Sequence, residues 1–176
     1  MLSNAAIIFG STTCYTEMAA EKIQASLHAI SGEQTTVPLF DIKEYPLSIA
    51  EQYDFIIFGI STWDFGELQE DWESQWDDIK KIDLNGKTIA LFGLGDQLGY
   101  AEWFQDALGM LHDEIILQDV TMLGYWPNQG YDFIASKALT ADNSHFVGLS
   151  LDDENQYDES EARIKAWCAQ ILQEYQ

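Results

Sequence analysis

Positive charge is what this chain has least of. Eight Lys and Arg stand against 30 Asp and Glu in 176 residues, a formal net charge of −22. Phosphate backbones are held by clustered Lys and Arg, so the balance argues against nucleic acid as a partner. Long apolar runs are missing too. Nothing approaches the roughly eighteen residues of a membrane span, and no basic stretch leads into an apolar one at the start of the chain. No membrane partner and a cytoplasmic location are therefore expected. Cys14 and Cys168 are the only cysteines; far apart and without a secretory signal, they read as free thiols rather than a bridge. His28, His112 and His145 show no metal-ligand spacing and read as packing or surface residues. No low-complexity linker or internal repeat is visible, and 47% of the residues are apolar. Residues 1–176 thus read as one domain with a sizeable core.

What is present is an alternation of apolar runs and helical stripes. AAIIF at 5–9 reads as a buried parallel strand. A helix follows from Thr16, with Ala19, Ala20, Ile23, Leu27 and Ile30 at helical spacing and Gly32 as its stop. Residues 35–40 read as a second strand, 53–60 as a third and 87–93 as a fourth. Helices are expected over 67–81 (Leu68, Trp72, Trp76 and Ile79 on one side) and 100–114. A fifth strand opens at 115–120, and 145–151 reads as another. A last helix spans 159–174, with Ile164, Trp167, Cys168 and Ile171 facing inward. Strand–helix alternation of this kind means α/β architecture: a doubly wound parallel sheet with helices on both faces. Residues 122–144 break the rhythm and read as an insertion splitting the last strand.

Ligands of doubly wound sheets bind outside the carboxyl ends of the strands. Three loops leave those ends: GSTTCYTE at 10–17, ISTWDFGELQ at 60–69 and GLGDQLGYAE at 93–102. The first precedes a helix, whose starting N–H groups and dipole attract an anion. It has neither the GxxxxGK of a nucleoside triphosphatase nor GxGxxG. What remains is a cradle for one phosphate monoester. Trp63 and Phe65 on the second loop and Tyr100 on the third are placed to sandwich a flat ring, a contact worth roughly 0.5–1.5 kcal/mol beyond burial. A single phosphate and a flat ring together describe flavin mononucleotide (FMN).

The stretches GSTTCYTE, STWDFGELQEDW, FGLGDQLGYAEWFQDALG and HFVGLSLDDENQ resemble the flavodoxin family, long-chain type, over nearly the whole chain. GYWPNQGY and FIASKAL resemble the subtype called flavodoxin 2. The resemblance implies a five-stranded parallel sheet in the order 2-1-3-4-5 and a site built from the three loops. Ser11, Thr12, Thr13, Cys14, Tyr15 and Thr16 are implied to cradle the phosphate. Cys14 stands where the family pattern has glycine, a residue that permits unusual backbone angles. Thr62 and Trp63 are implied to meet one flavin face and Tyr100 the other. The backbone of Gly93, Leu94, Gly95, Asp96 and Gln97, with the Asp96 side chain, is implied to meet the ring's polar edge. The Asp64–Phe65 peptide, followed by Gly66, is implied to turn its carbonyl toward flavin N5 on one-electron reduction. Bulky Phe65 makes that turn harder, so the one-electron-reduced form is expected to be less favoured than in glycine-bearing relatives.

Residues 64–78 hold seven acids and no base. Each carboxylate about 10 Å from an anionic reduced ring costs roughly 0.4–0.8 kcal/mol, and together they lower the potential by on the order of 100 mV. The same charges steer basic-faced redox partners, such as a ferredoxin/flavodoxin-NADP reductase and acceptor enzymes. The expected function is a low-potential, monomeric one-electron shuttle on non-covalent FMN, not an enzyme. The alternatives are an FMN-dependent NAD(P)H quinone or azo reductase, which needs an open pocket over the flavin, and a receiver domain, which needs acids absent after the first and third strands.

Overall fold

The computed structural model describes residues 2–32 and 35–176. Strand β1 (Ala5–Phe9) is buried at all five positions. It lies between β2 (Leu39–Asp41) and β3 (Phe55–Trp63), parallel to both, in a register that sets Ala5 opposite Phe55 and Phe9 opposite Gly59. Side chains alternate across the sheet. Ala5, Ile7 and Phe9 face helices α1 (Tyr15–Ser31) and α4 (Tyr157–Glu174), while Ile8 faces the opposite layer. A strand covered on both faces has no polar side, which is why AAIIF is a continuous apolar run. Each large side chain buried here contributes about 1.5–3 kcal/mol.

Beyond β3 lies β5 (Thr88–Leu94), also parallel. The outer edge of β5 is shared by two short strands. Thr88–Ala90 pair with β6 (Thr121–Leu123), and Phe92–Leu94 pair with β9 (Leu149–Leu151). The fifth position of the sheet is thus filled in two halves, with residues 124–148 leaving and returning between them. The order and the split last strand agree with expectation, but the insertion expected at 122–144 is displaced: Met122 and Leu123 pair with β5, and the chain rejoins the sheet only at Leu149. The insertion carries its own antiparallel pair, β7 (Trp126–Pro127) with β8 (His145–Phe146). Gly148 returns the chain so close to β5 that a Cβ there would sit 2.3 Å from the Leu91 carbonyl oxygen. No helix among the described residues is long and apolar enough to cross a membrane.

Several elements depart from the sequence pattern. The helix expected at 67–81 is instead strand β4 (Glu67–Leu68), helix α2 (Glu70–Ser74) and a 3-10 turn (Trp76–Lys80). Glu67 pairs across a hairpin with Trp63, and Gln75 uses its side-chain amide on Ile42 O and Leu47 N, holding the chain at the break. Trp72 and Ile79 are nevertheless buried. The 100–114 helix is a 3-10 turn (Ala101–Trp103) and α3 (Asp106–Ile115), interrupted at Gln105, whose φ is +62°. Residues 115–120 are not strand. Ile115 ends α3 on the same buried stripe as Leu108 and Leu111, and the edge strand starts at Thr121. The 35–40 strand begins only at Leu39, after Pro38, which has no N–H for a ladder. The 145–151 strand is two strands, β8 and β9. Ile30 lies half exposed at the end of α1.

Candidate functional site

The carboxyl ends of β1, β3, β5 and β9 open into one cleft of about 270 Å3. The first loop contributes Thr12, Thr13, Tyr15 and Thr16, and the second Ser61, Thr62, Trp63 and Asp64. The third adds Leu94, Gly95, Asp96 and Tyr100, and the chain after β9 adds Asp153 and Glu154.

The first loop ends in the 17-residue helix α1. Ser11 Oγ accepts from the Glu17 N–H at 3.4 Å. Among the described residues, the N–H groups of Thr13, Cys14, Tyr15 and Thr16 meet no protein acceptor. Four donors at the positive end of a long helix form a ready anion cradle, and this is the observation against which a phosphate fits. Cys14 sits at the helix N-cap with φ +68° and ψ −6°, in the left-handed region. The backbone angle that glycine permits is therefore adopted by a residue with a Cβ. The Cys14 thiol is exposed, whereas burial pushes the Cys168 thiol up to about 12.

The loop is braced from the acidic side. Gln69, fully buried, donates from Nε2 to Thr12 Oγ1 at 3.0 Å and to Asp71 Oδ2 at 2.7 Å, and its Oε1 accepts from Trp72 N. Gly10 leaves room for it; a Cβ there would lie 2.3 Å from Gln69 Oε1.

In the second loop, the Thr62 hydroxyl accepts from Ala107 N at 3.0 Å and so caps α3. The Trp63 indole N–H donates to Ser61 Oγ at 2.9 Å, which fixes the ring plane relative to β3. The hairpin turn takes its unusual angles at Asp64 (φ +42°) and Gly66 (φ +85°), not at Phe65. Aspartate tolerates that region better than most residues. Phe65 projects 66% exposed, edge-on to Trp103 at 5.0 Å and to Tyr100 at 6.2 Å. Beneath the turn, Asp106 is buried against Gly66, and burial raises its carboxyl above the ordinary range while the Lys137 N–H opposes the rise.

In the third loop, Asp96 Oδ1 accepts from Leu98 N and Gly99 N, an arrangement that turns the chain back toward Tyr100. Tyr100 Oη reaches Asp64 Oδ1 at 3.5 Å.

Of the residues expected at the site, Thr12, Thr13, Tyr15, Thr16, Thr62, Trp63, Asp64, Leu94, Gly95, Asp96 and Tyr100 line this cleft. Ser11, Cys14, Phe65, Gly66, Gly93 and Gln97 do not. Ser11 caps α1, and Phe65 points to Trp103. Gly93 packs against the Gln105 amide, where a Cβ would lie 2.2 Å from Oε1. Gln97 is 1% exposed and turns inward to Asp152. Three lining residues were not expected: Ser61, Asp153 and Glu154. The last two follow the carboxyl end of a sheet strand, the same rule that found the other loops, applied at the split strand.

Of the acids in 64–78, Asp64, Glu67, Glu70, Glu73 and Asp77 are exposed, while Asp71 and Asp78 are half-buried; Asp71 accepts from Gln69, and Asp78 pairs with Lys81 at 2.9 Å.

Comparison with known proteins agrees with this geometry. The family model described as Flavodoxin matches residues 7–167. The chain is 54% identical over 171 residues to Flavodoxin 2 of Escherichia coli (strain K12), covering 97% of this chain and 96% of that protein. It is 42% identical over 169 residues to a flavodoxin of Synechococcus elongatus, covering 96% of each. Among solved structures, Fusobacterium nucleatum flavodoxin bound to flavin mononucleotide superposes with a TM-score of 0.87 at 26% identity, covering 97% of both chains.

Proposed function

The chain belongs to the flavodoxin family, and from that premise we infer that it carries electrons one at a time on non-covalently bound FMN. It is an electron carrier and not an enzyme with its own substrate. The observation that supports the FMN reading most directly is the row of unmatched amides from Thr13 to Thr16, at the end of a cleft lined by Trp63 and Tyr100. When bound, FMN supplies a ring that accepts and releases single electrons.

The residues divide the work of holding it. The 13–16 amides and the hydroxyls of Thr13 and Thr16 neutralise a phosphate by dipoles alone, since among the described residues no Lys or Arg lines the cleft. Trp63, held by Ser61, and Tyr100 provide the aromatic surfaces. Leu94, Gly95 and Asp96 meet the polar edge. Asp64, Asp96, Asp153 and Glu154 surround the cleft with negative charge and disfavour added negative charge there, which gives a low potential. One sheet carries both apolar layers, which supports reading residues 1–176 as one domain. The partners are basic-faced redox proteins: a reductase as donor and enzymes as acceptors, each meeting a monomer in the cytoplasm.

The reductase alternative is not favoured: the relatives are flavodoxins, and two aromatic side chains line the cleft where a second substrate would enter. The experiment is anaerobic mixing of the FMN-loaded protein with a reduced flavoprotein reductase. One-electron bleaching of the flavin bands is expected, with no steady NAD(P)H oxidation by the loaded protein alone. Steady oxidation without a reductase would overturn the assignment.

A further inference from the structure

Directly after β9, Asp152 is fully buried. Its Oδ2 accepts from Gln97 N at 3.0 Å, Gln97 Nε2 at 2.8 Å and Asn155 Nδ2 at 2.9 Å. Its Oδ1 accepts from Asn155 N at 3.0 Å and Asn155 Nδ2 at 3.1 Å. Among the described residues, no Lys, Arg or His pairs with it. A buried carboxyl with converging neutral donors and no cation is costly to build unless every acceptor is used, and here they are used.

The donors come from places that matter to the cleft. Gln97 follows Asp96 in the third loop. Its other side-chain atom, Oε1, accepts from Asp132 N of the insertion at 2.6 Å. Asn155 follows the cleft-lining Asp153 and Glu154, and its Nδ2 also donates to Asp96 Oδ1 at 2.8 Å. The consequence for the third loop is specific. Gly95 N goes to Leu151 O, Gln97 N to Asp152, and Leu98 N and Gly99 N to Asp96. Among the described residues, the Asp96 N–H alone in 95–99 is left without a protein acceptor, at the cleft wall.

We propose that Asp152 is a positioning residue for the polar edge of the flavin: its buried carboxylate fixes the 95–99 loop and, through Gln97, fastens the insertion to the cleft. The proposal rests on the FMN reading. The geometry gives Asp152 two separable effects. As an acceptor it holds the loop in its binding shape. As a fixed negative charge beneath the cleft it disfavours the anionic, fully reduced flavin relative to the oxidised one.

Two variants of the full-length protein separate these effects. Asp152→Asn keeps the shape, removes the charge and sets an amide donor against donors. Gln97→Ala removes one bond to the carboxylate and the tie to Asp132 but leaves the charge. Each is titrated with FMN by fluorescence, and its two-electron midpoint is measured against an indicator dye. Asp152→Asn is expected to weaken oxidised-FMN binding at least tenfold and to shift the reduced-to-oxidised affinity ratio about tenfold toward the reduced form, equivalent to about 30 mV. Gln97→Ala is expected to weaken binding about fivefold with the ratio unchanged within twofold. A lower melting temperature with FMN affinity and midpoint unmoved would mean that Asp152 only supports the scaffold, and would overturn the proposal. If Asp152→Asn does not fold, parental FMN affinity in Gln97→Ala overturns it alone. If the parent protein binds no FMN, the FMN reading fails and the proposal falls with it.

Discussion

Gln69 Nε2 donates to Thr12 Oγ1 at 3.0 Å, joining the start of the acidic helix α2 to the loop that leads into α1. The same amide group holds Asp71, so one buried side chain braces a loop of the cleft from a strand away. Gln69→Ala removes these bonds and leaves Trp72 N without its cap. It is expected to lower stability by about 2 kcal/mol and FMN affinity about fivefold, as one hydrogen bond of about 1 kcal/mol to the cradle is lost. Urea denaturation and fluorescence titration measure the two effects. Unchanged affinity would show that the phosphate loop holds its shape unaided.

Cys14 presents the opposite case, a local rule broken at the site. Its φ of +68° is costly for a residue with a Cβ. Cys14→Gly relieves that strain but adds freedom to the unfolded chain. The expected balance is a gain of about 0.5–1 kcal/mol in the FMN-free protein, read from the urea midpoint. A loss of stability would mean that the thiol makes a compensating contact.

Glu67 in the hairpin and Glu73 in α2 are exposed and act by charge, whereas Glu70 accepts from Thr12 Oγ1 at 3.4 Å. Glu67→Gln and Glu73→Gln are each expected to raise the potential by roughly 15–35 mV at low salt, converted from about 0.4–0.8 kcal/mol. The effect shrinks near 1 M salt, where screening acts within about 3 Å. Lys81→Gln is expected to move the potential the other way, because it leaves the Asp78 carboxylate, 2.9 Å from the Lys81 ammonium, unopposed. Spectroelectrochemistry at two ionic strengths tests this; equal shifts at both would exclude a Coulombic origin.

His112 is 8% exposed, with Nε2 2.6 Å from Tyr125 Oη and Nδ1 3.8 Å from Asp113. Burial lowers its folded pKa below 6.5, with Asp113 opposing in part. The unfolded chain then binds the proton more readily. The resulting stability is fully present above pH 6.5 and is lost as pH falls through the folded pKa. His112→Gln should flatten the stability–pH curve below 6.5, as measured by urea denaturation across that range. A slope identical to the parent's would assign the acid sensitivity elsewhere.

The sheet was legible because its strands are apolar runs without alternation, as burial on both faces requires. AAIIF and KTIALFG could be placed without tertiary information. The acidic stretch after Trp63 was not. Leu68, Trp72, Trp76 and Ile79 have helical spacing, yet the chain is divided by a hairpin pairing Trp63 with Glu67 and by Gln75 bonding to the 42–47 segment, 28 or more residues away in sequence. Long-range bonds of that kind leave no local signal. Ile115 was misplaced for a related reason: a β-branched residue followed by apolar neighbours reads as strand, but its burial against β5's face continues α3. The site was read largely through loop chemistry and family resemblance. Asp153 and Glu154 read in the sequence only as a continuation of the acidic rim; their place at the cleft depends on β9 pairing with the carboxyl-terminal half of β5, a long-range contact without a local signal.

We propose that the 13–16 amides, Trp63 and Tyr100 hold FMN together. The flavin-free protein is titrated into FMN while flavin fluorescence is followed. A linear loss of emission to one equivalent is expected, as the ring is brought against aromatic side chains. Undiminished fluorescence beyond one equivalent, from protein with the parental near-UV circular dichroism, would contradict it.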